Sequence, residues 1–143
     1  MNTRKAKRTT AGFTLIELIV VMVILVLLAG TVTVMYIKQV GKAKITKVKA
    51  DINALETACD AYKLDVGEYP IDLDGLVTKP SEASGWDGAY IKGGKVPMDP
   101  WGREYEYKSP GDHNTDAVDL FSLGKDGQDG GEGENADITN WND

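Results

Sequence analysis

Reactive chemistry is scarce in this sequence. One cysteine, Cys59, and one histidine, His113, stand among 143 residues. A single thiol excludes an intramolecular disulfide, so a small domain must find its staple elsewhere, in a metal or in assembly. No thiol or imidazole cluster is present for zinc. His113 sits in a polar loop with no nucleophile or base arranged around it, which argues against an enzyme. Cys59 recurs with Ile52, Leu55, Tyr62 and Val66 at three- and four-residue steps, the placement of a buried core thiol. No internal repeat and no glycine-rich nucleotide motif occur. Basic residues are outnumbered, 16 against 22 acidic, for a net charge of −6. That deficit argues against nucleic acid as the main partner, because phosphate binding wants Lys and Arg clusters.

What the chain does have is a long apolar run. From Phe13 to Ile37 the only charge is Glu17, near one end. A charge costs roughly 2.5–3.5 kcal/mol at a bilayer centre and less toward the interface, so Glu17 asks for a partner. Ahead of the run lies a leader with Arg4, Lys5, Lys7 and Arg8 and no acid. An ordinary secretory signal has a shorter apolar core followed by a small-residue cleavage site. Here the run is about the ~20 residues that span a bilayer, and the small-residue junction, Ala11-Gly12, precedes it. Cutting after Gly12 would remove four of the 16 basic residues and no acid, deepening the net charge to −10. Orientation is ambiguous from charge, because Lys38, Lys42, Lys44, Lys47 and Lys49 follow the run.

A basic leader, then Gly12, then Phe13-Thr14-Leu15-Ile16-Glu17 opening a hydrophobic helix resembles the type IV prepilins and type II secretion pseudopilins. The resemblance implies that a prepilin peptidase cuts between Gly12 and Phe13 and methylates Phe13. It implies that Glu17 pairs with the N-terminal amine of a neighbouring subunit and so serves assembly. It also implies a single pass through the inner membrane, leader in the cytoplasm and C-terminal domain in the periplasm. The bland alternative is an ordinary signal anchor with a stray Glu.

Four segments follow: the leader 1–12, a transmembrane helix 13–37, its amphipathic continuation 38–66 and a globular head 67–143. At ~1.5 Å per residue, a helix of some 50 residues makes a rod about 75 Å long. Gly30 and Gly41 are its weak points. The family usually has a proline where Val34 stands, so a proline kink is not expected here. The Lys run reads either as a solvated helix face or as pairing with Asp51, Glu56 or Asp60 of neighbouring subunits. Gly67 is placed to cap the helix, with Pro70 beyond it. A short helix around Leu73–Thr78 and a strand starting at Tyr90-Ile91 are expected. Asp99-Pro100-Trp101-Gly102 reads as a tight turn that the resembled family shares, with Trp101 as an aromatic plug. Glu104–Lys108 alternates at the strand period, and Asp119–Leu123 is the next strand candidate.

The C-terminal stretch is acidic and glycine-rich. Glycines free the backbone to turn carbonyls inward and carboxylates supply hard oxygens, a composition suited to Ca²⁺. It is not an EF-hand: from Asp126 the third position is Gln128, the fifth Gly130 and the twelfth Asp137. Composition alone leaves a flexible acidic loop equally open. Phe-Ser-Leu-Gly, then Asp-Gly, then late acids before Ile and Asn-Trp resembles the calcium loop of G-type major pseudopilins. Carried over, the ligands are the carbonyls of Leu123 and Gln128 with the side chains of Asp126, Asn135 and Asp137, while Asp129, Glu132 and Glu134 stay solvated or outer.

The reading is an α+β, type IV pilin-like fold in which a long N-terminal helix packs on a small antiparallel sheet with a C-terminal calcium loop. The function implied by resemblance is a non-enzymatic subunit that homopolymerises into the periplasmic pseudopilus of type II secretion and helps export folded proteins. Implied partners are minor pseudopilins, the prepilin peptidase and the inner-membrane assembly platform. The alternatives are a surface type IV pilin and a membrane-anchored calcium-binding domain that never polymerises.

Overall fold

The computed structural model describes residues 12–141, and the side chains at 30–35 and 37 lie outside that description. The expected leader, up to Ala11, falls outside it too. One helix, α1, runs from Leu15 to Val66 and stays helical through both Gly30 and Gly41. It ends as its sequence dictates: Gly67 adopts φ +99°, and its N–H donates to Lys63 O at 2.8 Å.

The chain divides into two compact units, Met1–Gln39 and Val40–Asp143. In the first, every large apolar side chain from Phe13 to Leu28 is 48–80% exposed, on all faces of the helix. Among the described residues, no helix is long and apolar enough to cross a membrane. Part of the expected span 13–37 belongs to the side chains outside the description.

In the second unit α1 is amphipathic. Val48, Ile52, Leu55, Cys59 and Tyr62 form one buried stripe, packed with Leu73, Leu76, Tyr105, Val118, Leu120 and Ile138. A 3-10 turn at Leu73–Leu76 stands where a short helix was expected, and the Asp72 carboxylate caps it by accepting from Gly75 N at 3.1 Å. The sheet has three antiparallel strands in the order β1 (Glu106–Lys108), β2 (Asp119–Ser122), β3 (Ile138–Thr139). Tyr107 faces Leu120 and Phe121 faces Thr139. Central Leu120 is fully buried, and truncating such a residue to Ala costs about 2–5 kcal/mol.

Tyr90-Ile91 is not a strand. Tyr90 works as a clamp instead: its ring stands edge-on to Tyr62 and Trp86, and its hydroxyl donates to Asp65 at 2.8 Å. The third strand comes from Ile138–Thr139, two residues too short to show any period.

Candidate functional site

At the expected cleavage junction Gly12 and Phe13 are exposed, and among the described residues no atom beyond the neighbouring chain comes within 4 Å of where a Gly12 Cβ would lie. Thr14 Oγ1 accepts from Glu17 N at 3.3 Å, while Thr14 N donates to Glu17 Oε2 at 3.5 Å. This is a capping box, and Glu17 also lies in the first turn, where the helix dipole favours an anion. The pattern Thr-x-x-Glu ahead of an apolar run was legible. Glu17 is therefore a helix cap as well as the one charge in the apolar run.

The acidic loop leaves β2 and returns at β3. Leu123, Asp126 and Gln128 share its first turn: Gly127 N donates to Leu123 O at 3.2 Å, and Asp126 Oδ1 accepts from Gln128 N at 3.2 Å. Asn135 and Asp137 arrive on the return. Lys125 N to Glu134 O at 2.8 Å and Gly130 N to Asp137 Oδ2 at 2.9 Å tie the two halves. Close approach demands glycine at two points. A Cβ on Gly124 would lie 2.8 Å from the carbonyl oxygens of Glu134 and Ala136, and one on Gly131 would lie 2.5 Å from that of Asn135. Both residues have positive φ.

Asp137 Oδ1 is buried and has no hydrogen-bond partner. A buried carboxylate oxygen without a partner is costly, and a cation is the partner it suits. Among the described residues, no three His, Cys, Asp or Glu side chains group as a metal set. The expected donors include only two carboxylates, Asp126 and Asp137; the rest are a carboxamide and two carbonyls, ligands that hard Ca²⁺ accepts.

Two residues outside the loop hold it, and the sequence reading assigned neither to it. Arg103 Nη1 donates to Gly124 O at 2.8 Å and to Lys125 O at 2.9 Å. Buried Asp99 accepts from Trp101 N and Arg103 N through Oδ1 and from Ser122 Oγ through Oδ2, and Ser122 Oγ accepts from Gly124 N at 3.3 Å. The Asp-Pro-Trp-Gly turn is present, with Gly102 N donating to Asp99 O at 3.0 Å. Trp101 packs half-buried on the core under Lys44, whose ammonium is 5.6 Å from the ring centroid. Glu134, expected to be outer, lays its side chain against Gly41 of α1 and pairs with Lys125.

The three acids that one of the two readings of the Lys run pairs with neighbouring subunits each have a partner within the chain. Asp51 accepts from Lys47 and Tyr105, Glu56 from Asn140, and Asp60 from Tyr69. His113 is exposed, as expected, but not idle: its ring stacks on Trp141 at 4.1 Å and its Nδ1 lies 3.1 Å from Asp119 Oδ2.

A signal-like junction, a long helix and a small antiparallel sheet define the class: a type IV pilin-like subunit. The profile of the prokaryotic N-terminal methylation motif matches residues 7–33. That of the type II secretion system (T2SS), protein G, matches residues 35–141. The chain belongs to the type II secretion system protein G family. It is 49% identical over 144 residues to the type II secretion system core protein G of Vibrio cholerae, covering 96% of each chain. It is 44% identical over 142 residues to that of Pseudomonas aeruginosa, covering 94% of this chain and 97% of the relative. The crystal structure of the major pseudopilin from the type 2 secretion system of enterohaemorrhagic Escherichia coli matches with a TM-score of 0.58 at 38% identity. That match covers 70% of this chain and 88% of the other.

Proposed function

We infer that this structural subunit of the type II secretion pseudopilus is held in the inner membrane before assembly and has a head firmed by calcium. The anchoring reading rests on the first unit, where a helix apolar on all faces exposes Phe13 through Leu28 and needs lipid or other subunits around it. Cleavage after Gly12, methylation of Phe13 and a homopolymer built with Glu17 near its N-terminal amine fit the matched methylation motif. The prepilin peptidase, minor pseudopilins and assembly platform are then its partners, and the head faces the periplasm.

The observation carrying the metal reading is the buried, unpartnered Asp137 Oδ1. The carbonyls of Leu123 and Gln128 and the side chains of Asp126, Asn135 and Asp137 would hold Ca²⁺, which would supply the cross-link that one cysteine cannot. The test is thermal unfolding of the full chain in detergent micelles, with calcium and with a chelator. At 100 times its dissociation constant the metal adds about 2.7 kcal/mol, or roughly 5–10 °C for a chain of this size. That rise should vanish in Asp126→Ala and shrink with magnesium. No shift in the unsubstituted chain would return the loop to a solvated acidic segment.

A further inference from the structure

We propose that Arg103 is a positioning residue of the acidic loop: its guanidinium, by holding the carbonyls of Gly124 and Lys125, keeps the first turn in its binding shape before any cation arrives. The inference rests on the calcium reading above. The two carbonyls it grips belong to the residues between Leu123 and Asp126, the first two expected donors, at 2.8 and 2.9 Å. The contact is close on a third side. A Cβ on Gly127 would lie 2.6 Å from Arg103 Nε, so the guanidinium lies flat against the turn that Asp126 begins.

Arg103 is itself held at its base. Its N–H donates to Asp99 Oδ1 at 2.9 Å, and the other oxygen of that buried carboxylate accepts from Ser122 Oγ at the entry to the loop. The 99–103 turn therefore grips residues 122–127 twice, once through a carboxylate and once through a guanidinium. Gly124, Gly127, Gly130, Gly131 and Gly133 all take positive φ, so an unbraced loop has many conformations to lose on binding. A planar guanidinium with fixed donor directions suits two neighbouring carbonyls better than a rotating ammonium does. Its positive charge opposes a cation, and the proposal is that preorganisation outweighs this repulsion.

The test measures the calcium dissociation constant by calorimetry, and the metal-free melting temperature, for the full chain in detergent micelles. Arg103→Met removes the charge and keeps the stem; Arg103→Lys keeps the charge and loses the fork. Both leave the backbone N–H that bonds Asp99. Partners that orient ligands typically cost 10–100-fold in metal affinity when lost, so both variants should bind calcium at least about tenfold more weakly, Met more than Lys, with metal-free melting close to the parent. If Arg103→Met binds as tightly as the parent or more tightly, the proposal is wrong and the calcium reading survives. Lower metal-free melting with unchanged affinity makes Arg103 an ordinary packing residue and equally overturns it. If the unsubstituted chain and Asp126→Ala both fail to bind, the calcium reading falls and takes this inference with it.

Discussion

Asp119 is 3% exposed, yet its carboxyl is held below its ordinary 3.8. Burial by itself pushes it upward. The N–H groups of His113, Asn114 and Asp112, with the His113 ring, turn toward the charged form and outweigh burial. Stability from a depressed carboxyl is present above its unfolded value and is lost as pH falls through the folded one. Asp119→Ala leaves those N–H groups without their acceptor and should destabilise by about 1–3 kcal/mol at pH 7. Urea titrations from pH 7 to pH 2 should show the gap between parent and variant narrowing below pH 4; a constant gap would assign the loss to packing alone. At Cys59 burial acts unopposed, with Asp60 and Glu56 adding to it, and the thiol is pushed up to about 12, the inert core group its periodicity foretold.

Within α1, Gly41 looked like a hinge from sequence and proves to be a seat. The helix passes through it unbroken, and a Cβ there would lie 2.9 Å from Glu134 Cδ. The obstacle is the end of a flexible side chain, so it can swing away. Gly41→Ala gains about 1 kcal/mol of helix propensity and gives up a Lys125–Glu134 contact worth about 0–1 kcal/mol. Denaturant unfolding should therefore find Gly41→Ala within about 1 kcal/mol of the parent, whereas Gly41→Leu, too large for the seat, should lose about 1–3 kcal/mol. Elements with a strong local signal were legible: the amphipathic stripe, the Gly67 cap and the Asp99–Gly102 turn. Tyr90-Ile91 and Ile138–Thr139 were not. Each is two residues long, and only pairing with a neighbour decides which of them becomes a strand.

For the whole molecule, the assembly proposed above rests on the first unit. In the single chain Glu17 Oε2 accepts one long hydrogen bond, from Thr14 N at 3.5 Å, which leaves its charge in the apolar run calling for a cation. Glu17→Ala should therefore still be produced and cut after Gly12, but should form few filaments when coexpressed with the secretion machinery. Immunoblotting reads the processing and electron microscopy of sheared material reads the filaments. Abundant filaments from this variant would remove Glu17 from assembly.

By itself the sequence determined what rests on neighbours in the chain. The extent of α1, its buried stripe, the Gly67 cap and the Asp99–Gly102 turn all depend on periodicity, caps and composition over a few residues. The tertiary structure alone decided the rest. Asp99 and Arg103 reach the loop at Ser122, Gly124 and Lys125, Glu134 finds Gly41, and Asp119 gathers the 112–114 turn. These contacts join residues distant in sequence or drawn together by a turn, and no local spacing encodes them because they exist only once the head has closed on its helix.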